Sequence, residues 1–566
     1  MNLTPRFWLI LSVVIALLMT TPIWVLASFI FESGNENWHH LVDTLLPDYI
    51  SNSIWLMIGV SIGTLILGVS SAWLISHYQF LGSSWLHWAL LLPLAVPAYI
   101  SAYTYTGLLE FEGPLQSYLR ELYGLQVSNW FPEIRSLGGA MVLFSLVLYP
   151  YVYLLGRSGF GSHSQTALEA SRTLGAGPFK SFFTVALPMA RPAIIAGVTL
   201  ALMETLADFG AVQHFGVDTF TTGIYRTWSG FGDTTTAAQL SIVLLIFVAT
   251  LILIERWSRK QQRYFTCGNK EGHSELIKLS GIKSIMAFTA CFIPVLLGFL
   301  VPSGMLLFWS ITTAETNWNS EFFGLAWNSF TLAFITALVT LFIAIILAYA
   351  KRISNSSQVS KTVYAAHMGY AIPGTVLAIA ILIPLSWLDT SINQFMTDYL
   401  GISTGLLLSG TLFALVMAYS IRFLSVALQS VESGLQRIKP SIDDSARTLG
   451  TSDWSIINRI HIPLMQSSLL TALILVFVEV LKELPTTLIL RPFNFDTLSI
   501  RAYEMASDER LADAGLPALL IVLTSLIPVM ILSKLMQNNQ NKRKKIEPAP
   551  LVSPNHVDLE KDPKFA

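Results

Sequence analysis

The stretch LEASRTLGAGPFKSFFTVALP, residues 168–188, is a polar segment between two long apolar runs, and it occurs a second time in the chain. Residues 442–463 read IDDSARTLGTSDWSIINRIHIP. A shift of 275 positions places Gly175 on Gly450 and Pro188 on Pro463. Internal duplication of this length indicates that the chain consists of two related halves.

Each copy carries the signals of two short helices joined by a turn. The first helix ends at a glycine, and the second leads to a proline where the next apolar run begins. We therefore expect a helix–turn–helix on the membrane surface in each half. An amphipathic segment that only packs against lipid headgroups is the alternative, but duplication at matching positions favours a docking element for a cytoplasmic partner.

The composition is that of a membrane protein. The 566 residues are 53% hydrophobic and 12% charged, with a mean hydropathy of +0.58, which is too apolar for a soluble globular chain. We expect an all-α polytopic membrane protein with about 12 transmembrane helices in two six-helix halves. Apolar runs long enough to span a bilayer lie near 7–31, 53–76, 85–109, 138–156, 190–212, 237–255, 282–310, 328–350, 361–388, 404–428, 466–490 and 514–536.

The two halves are parallel repeats. The pair Asn52-Ser53 returns as Asn328-Ser329, so the duplication begins well before the polar loop. An even number of helices per half gives both halves the same orientation in the membrane. The predicted units are a first half at 1–260, a cytoplasmic basic linker at 261–281, a second half at 282–537 and a disordered cytoplasmic tail at 538–566.

The distribution of basic residues sets the expected orientation. Seven Lys and Arg residues lie between 255 and 283, whereas the loops near 31–52, 311–327 and 388–404 contain none. By the positive-inside rule, the linker with Cys267 is cytoplasmic, and so are both polar loops and both termini. The net charge of −1 gives no field that would favour nucleic acid as a partner.

Four acidic residues lie in apolar runs at equivalent positions. Glu204 aligns with Glu479 and Asp208 with Glu483, and a spacing of four puts each pair on one helix face. Carboxylates at this depth are costly unless they are paired, protonated or hydrated. They have a structural role, either satisfying broken backbone near Gly210 and Pro485 or pairing with an Arg or with Lys482, or they line a path for a cation, since hard cations prefer oxygen ligands. The two-fold repetition favours the path.

Prolines interrupt the third apolar run of each half. Pro97 follows a second proline in LPLAVPAYISAYTYTGLL, and Pro373 takes the equivalent place in the second half. They predict a broken or kinked helix, which membranes tolerate where the freed backbone finds other partners or lines a cavity. The break serves either packing or the pathway. In the second case Tyr103 and Tyr105 are further candidate pathway residues.

The duplicated loop resembles the EAA motif of the membrane subunits of ATP-binding-cassette importers. The second copy departs from it by having Asp-Ser-Ala where Glu-Ala-Ala is usual. The resemblance implies that both loops couple the permease to its ATPase. The coupling residues it implies are Glu169, Ala170, Gly175, Leu187 and Pro188 in the first copy, and Asp444, Ser445, Gly450, Ile462 and Pro463 in the second.

Two further segments look like the ferric-iron branch of these importers, in which the permease is a single chain of two fused halves. They are LPLAVPAYISAYTYTGLLEFEGP at 92–114 and METLADFGAVQHFGVDTFTTGIYRTW at 203–228. The resemblance implies a type I importer permease in a bacterial inner membrane that moves ferric iron by alternating access. It also implies a periplasmic substrate-binding protein and two copies of a separate ATP-binding subunit as partners.

We expect no enzymatic activity in this chain. It contains no Gly-x-x-x-x-Gly-Lys-Ser/Thr stretch to hold phosphates, so ATP is used by the partner subunit. No catalytic group of residues, resident metal or bound cofactor is predicted. The alternatives are a thiamine-type or other small-solute permease, a membrane scaffold, and a twelve-helix secondary transporter, which would not need two matching docking loops.

Overall fold

The computed structural model describes residues 5–32, 35–162, 168, 170–171, 173–260, 276–354 and 356–545. Cys267, most of the predicted linker and residues 546–566 of the predicted tail lie outside these ranges. The first half contains α1 (Pro5–Ser28), α2 (Glu36–Thr44), α3 (Leu46–His77), α4 (Ser83–Ala89), α5 (Ala98–Leu109), α6 (Pro114–Tyr123), α7 (Val127–Trp130), α8 (Leu137–Ser162), α9 (Pro178–Ser181), α10 (Leu187–Ala207), α11 (Gly210–His214), α12 (Phe220–Phe231) and α13 (Thr234–Lys260).

The second half repeats this order of helices. A parallel two-residue pairing of β1 (Tyr78–Gln79) with β2 (Ile277–Lys278) ties the end of the linker to the first half. The helices that follow are α14 (Ile282–Val295), α15 (Val301–Thr312), α16 (Ala314–Asn317), α17 (Ser320–Ser354), α18 (Ser357–Ala366), α19 (Gly374–Leu400), α20 (Leu412–Gln436), α21 (Pro440–Thr448), α22 (Asp453–Ile456), α23 (Ile462–Leu464), α24 (Gln466–Lys482), α25 (Pro485–Leu490), α26 (Leu498–Ser507) and α27 (Gly515–Lys545).

The helices are long and apolar enough for a polytopic membrane protein. Within the described ranges, nine helical runs meet the length and hydropathy expected of a membrane span. Two bent pairs, Ser83–Ala95 with Ala98–Tyr123 and Trp454–Leu464 with Gln466–Lys482, raise the number to eleven. The shorter apolar helix Gly515–Ile531 is a twelfth candidate. The all-α class predicted from composition is confirmed.

The third helix of each half is broken at its proline, as predicted. The 3₁₀ turns Leu92–Ala95 and His367–Ala371 precede Pro97 and Pro373, and α5 and α19 begin at the next residue. The first break turns the chain by 90°. Proline lacks an N–H donor and disfavours a helix in the residue before it. The predicted runs near 85–109 and 361–388 are therefore each divided in two.

The two halves share their hydrophobic cores. Helix α1 packs against α17, α18 and α19 of the second half, and Trp8 and Leu26 lie in the same buried core as Leu347. In return, α14 and α15 pack against α3 and α5, and Cys291 is buried in a core with Tyr153. Each half thus contributes its first helix to the packing of the other.

The last helix extends past the predicted start of the tail. Helix α27 runs to Lys545, whereas the sequence predicts the tail from residue 538. No glycine or proline occurs between residues 529 and 547, so the polar end of the helix contains no residue that would break it.

Candidate functional site: two surface loops and a central cavity

Both surface loops turn at a glycine with a left-handed backbone. The φ angle is +84° at Gly175 and +78° at Gly450, a conformation that residues with a Cβ atom rarely adopt. The amide of the next residue donates to the carbonyl oxygen five positions back, at 3.0 Å in the first copy and 3.1 Å in the second. This is the hydrogen bond of a Schellman helix end. The predicted end of the first helix at the glycine is confirmed in both copies.

The second segment of each loop enters the membrane through a π turn. The π turns Phe182–Ala186 and Ile457–His461 lie at equivalent positions. Pro188 and Pro463 follow without ending the helix, because the missing N–H is not needed at the start of a new helical segment. The copies differ beyond this point, since Pro178–Ala207 forms a single span whereas the second copy bends by 79° after Leu464.

The loops present large apolar side chains to the exterior at equivalent positions. Leu174 is 87% exposed and Leu449 84%, and Phe179 is 80% exposed where Trp454 is 60%. Exposed apolar groups that recur in this way are typical of an interaction surface. A leucine and an aromatic ring project from each copy.

The second loop is held to the membrane helices by a buried polar network around Asp443. Arg352 Nε lies 2.8 Å from Asp443 Oδ2, and His461 Nε2 lies 2.7 Å from Asp443 Oδ1. The Tyr349 hydroxyl is hydrogen-bonded to the other ring nitrogen of the histidine. Burial opposes the charged form of Asp443, but hydrogen bonds from Arg352 and His461 outweigh it and hold the pKa of the carboxyl below its ordinary value.

The first loop is held by apolar contacts instead. The positions equivalent to Asp443 and its histidine are Leu168 and Ala186, and both are buried. Trp73, which corresponds to the tyrosine of the network, packs edge-on against Phe182 with ring centroids 4.8 Å apart. The two loops therefore have the same backbone turn but different attachments.

A cavity of about 150 Å³ lies between the halves, beside the broken third helices. All four predicted acids line it, and Glu204 lies about 25 Å along α10 from the end that adjoins the surface loop, at 1.5 Å per residue. Most of the lining residues occupy equivalent positions in the two halves. In the first half they are Leu94 and Val96–Ala98, Val147 and Leu148, and Ala207–Gly210, and their counterparts in the second half are Tyr370–Pro373, Arg422 and Phe423, and Lys482–Pro485.

Two of the acids cap the short helices α11 and α25, which follow the ends of α10 and α24. Asp208 Oδ1 accepts hydrogen bonds from the amides three and four residues on, at 2.8 and 3.3 Å. Glu483 Oε1 accepts from the Thr486 hydroxyl at 2.7 Å and lies 3.4 Å from Arg422 Nη1. The structural role considered for these acids, satisfying broken backbone, therefore applies to this pair.

The other two acids are placed differently. Glu204 Oε1 accepts a hydrogen bond from the Tyr370 hydroxyl at 3.1 Å, across the boundary between the halves. Glu479 Oε1 lies 3.0 Å from Lys482 Nζ. Neither carboxylate caps a helix among the described residues, but the pairing with Lys482 is the other structural role considered for the acids, and it applies to Glu479.

Two segments of the chain, residues 127–261 and 364–546, match the family described as binding-protein-dependent transport system inner membrane component. Together they cover more than half of the chain, and each contains one surface loop and one acid pair. The chain belongs to this family. It is a multi-pass permease of the inner membrane, and its family implies ATP-binding and substrate-binding partners.

The relatives of this permease include fused and single-half proteins. It is 28% identical to the Fe(3+)-transport system permease protein FbpB 2 of Haemophilus influenzae, over 94% of this chain and 98% of that protein. It is 24% identical to the ferric transport system permease protein FbpB of Actinobacillus pleuropneumoniae, over 76% and 62%. The molybdenum transport system permease protein ModB of Escherichia coli is 27% identical over 35% of this chain and 86% of its own length.

The structure places Tyr103 and Tyr105 outside the lining of the permease cavity. Tyr103 is buried against His214, with ring centroids 4.8 Å apart, and the Tyr105 hydroxyl donates to the carbonyl of Leu297. The helix turn that follows Pro97 points Tyr99 toward the cavity instead. The sequence pattern could not distinguish these tyrosines because all three lie in one short helix.

The coupling residues expected in the permease loops fall into different environments. Glu169 lies outside the described residues. Asp444 is exposed and lies 3.8 Å from Arg447, while its neighbour Asp443 is buried in the network described above. Sequence reasoning missed Asp443 because the adjacent Asp444 occupies the acidic position of the motif. The spacing within the short helix could have revealed it, since Asp443 lies three residues before the buried Ala446 and therefore shares its inward face.

The four acids contribute carboxylate oxygens to the lining of the cavity. Within the described part of the permease, no group of three or more His, Cys, Asp or Glu side chains is arranged to hold a metal ion. Carboxylate and tyrosine oxygens are nevertheless the donors that hard cations prefer.

Proposed function

We propose that this chain is the fused permease of a ferric-iron importer, in which a periplasmic binding protein delivers the cargo and two copies of an ATP-binding subunit drive its entry by alternating access. The similarity to permeases named for ferric transport along nearly the whole chain carries this proposal. A cavity lined by four carboxylates between the halves supports it.

The two surface loops are the docking elements for the ATP-binding subunits in this proposal. Their equivalent turns and their exposed Leu174 and Leu449 present two similar surfaces, one for each copy of a motor subunit. Both loops and both termini are then cytoplasmic, in agreement with the basic residues near the linker. This chain uses no ATP and holds no cofactor of its own.

The test of the cargo path uses Glu204 and Glu479, because these acids do not cap helices. Glu204→Gln with Glu479→Gln keeps side-chain volume and removes two anions from the cavity. We expect uptake of radiolabelled ferric iron to fall about tenfold or more, in cells matched for the amount of permease. As a comparison, Asp208→Ala should mainly lower the amount of folded permease, since it removes a helix cap.

The outcome separates the two roles considered for the acids. Normal iron uptake by the double Gln variant would eliminate the cation path. Uptake lost in the Gln variant, at an unchanged amount of assembled complex, would support it.

A further inference from the structure

Arg422 is a cavity residue whose counterpart in the first half is apolar. The equivalent position is Val147, and both residues line the cavity. The side chain of Arg422 is only 11% exposed, and its Nη1 makes no hydrogen bond within the described part of the chain, although it lies 3.4 Å from Glu483 Oε1. The guanidinium is therefore ion-paired with Glu483, but its Nη1 keeps N–H groups that no hydrogen bond among the described residues uses.

The charges of the cavity are distributed unequally between the halves. The second half supplies Arg422 and Lys482 beside its own two acids, whereas the matching positions of the first half are Val147 and Ala207. Glu204 therefore has no cation from its own half at these positions. Arg422 interacts electrostatically with it from across the cavity, as well as with the acids of its own half.

The backbone of α19 is fitted closely to this ion pair. A Cβ atom at Gly374 would lie 2.5 Å from Arg422 Nη1 and 2.5 Å from Glu483 Oε1. The Tyr99 hydroxyl faces the same cavity, is buried, and makes no hydrogen bond within the described residues. The site thus combines a fixed cation, acids from both halves and an unused oxygen donor.

We propose that Arg422 is the resident countercation of the transport path. Its guanidinium balances the carboxylates when no cargo is present, and a hard multivalent cation takes over that role as it passes. Transport requires a site that attracts the ion yet lets it leave. A tethered cation meets both needs, because it returns to the acids as the cargo departs. This inference rests on the proposed ferric cargo.

The test measures both uptake and retention of ferric iron by the assembled complex in proteoliposomes. Arg422→Gln removes the competing charge, so we expect slower uptake and about tenfold more iron left on the washed, purified permease. Arg422→Lys keeps the charge and should restore uptake. Arg491→Gln is the matched control, since Arg491 pairs with Asp496 and Glu504 outside the cavity.

The double variant Arg422→Gln with Glu483→Gln removes one charge of each sign. The amide oxygen of Gln can still accept from Thr486, so the helix cap is kept. Because the balance of charge in the cavity is kept, we expect the washed double variant to retain no more iron than the unmodified complex, and this comparison also decides the question if Arg422→Gln alone does not assemble. Added retention of iron in the double variant would overturn the inference.

The inference and the proposed function fail in different ways. If the unmodified complex takes up no ferric iron, the cargo assignment is wrong. If it takes up iron and Arg422→Gln does so at the same rate with no added retention, Arg422 is not the countercation.

Discussion

Asp443 and His461 are joined by a contact of 2.7 Å between Oδ1 and Nε2, which links the first helix of the second surface loop to the base of the membrane helix that follows. Arg352 of α17 completes the network. It also donates to the carbonyl oxygen of Leu435, in the last turn of α20, and to that of Ile438, just after α20 ends. Three elements of the second half therefore meet at the carboxylate, and Arg352 links them to α20. Movement of this loop should be passed to the helix that carries Glu479.

Asp443→Leu tests how much this network stabilises the second half. The change introduces the residue found at the equivalent place of the first loop, but it leaves Arg352 and His461 buried without their acid. Loss of one partner from a buried pair costs about 3–5 kcal/mol. We expect a clearly lower melting temperature of the purified permease.

A control is available next to Arg352, where Lys351 of α17 pairs with Glu432 of α20. Glu432→Gln breaks the ion pair with Lys351, whose side chain is 43% exposed, and should change the melting temperature little. An unchanged melting temperature for Asp443→Leu as well would contradict the structural importance of the network.

Gly175→Val and Gly450→Val test the turn in the loops. A Cβ atom at either position would meet no neighbouring atom, so the strain arises from the positive φ alone, at about 1–2 kcal/mol. We expect ATP hydrolysis to continue while transport per ATP falls. Gly177→Val is the control, because Gly177 has a φ of −65° and equal space around it. If the amount of iron transported per ATP hydrolysed were the same in all three variants, the turn would have no coupling role.

Leu174→Asp combined with Leu449→Asp tests the docking surface. Charges placed in an apolar contact should reduce co-purification of the ATP-binding subunit, because they must be desolvated when the subunit docks. Phe493→Asp serves as the comparison, since Phe493 is 93% exposed and lies in the loop between α25 and α26, outside the two surface loops. Undiminished binding in the double variant would mean that the subunit docks elsewhere.

Labelling of Cys267 tests the orientation of the chain. The other cysteine, Cys291, is fully buried, so a membrane-impermeant thiol reagent should report on Cys267. We expect labelling in inverted vesicles and none in intact spheroplasts, with Cys267→Ser as the blank. The reverse pattern would place the linker outside the cell.

The features that the sequence predicted correctly are those set by the residue pattern within a single segment. Hydropathy predicted the membrane helices, the prolines predicted the breaks before α5 and α19, and the repeated glycine predicted the two turns. The alignment of halves also led to the shared cavity, because equivalent acids on equivalent helices must approach the same axis. These features follow from local chemistry or from symmetry.

What depends on contacts between distant segments could not be predicted. The exchange of first helices between the halves and the contacts of Asp443 with Arg352 and His461 require knowing which surfaces meet. The 275-position shift also aligns Arg226 with Arg501, and this match is misleading. Thr219 caps α12 and Thr497 caps α26, so these two threonines are the equivalent residues. The second half has three more residues before this helix than the first half, and the 275-position shift therefore no longer aligns equivalent residues here.

The most direct test of the account is ATP-driven uptake of ferric iron by the reconstituted complex. Proteoliposomes would contain the permease and its ATP-binding subunit, with iron-loaded binding protein outside and ATP inside. We predict iron accumulation that requires ATP and persists when a protonophore collapses the proton gradient. Accumulation that proceeds without the ATP-binding subunit and stops with the protonophore would contradict the account.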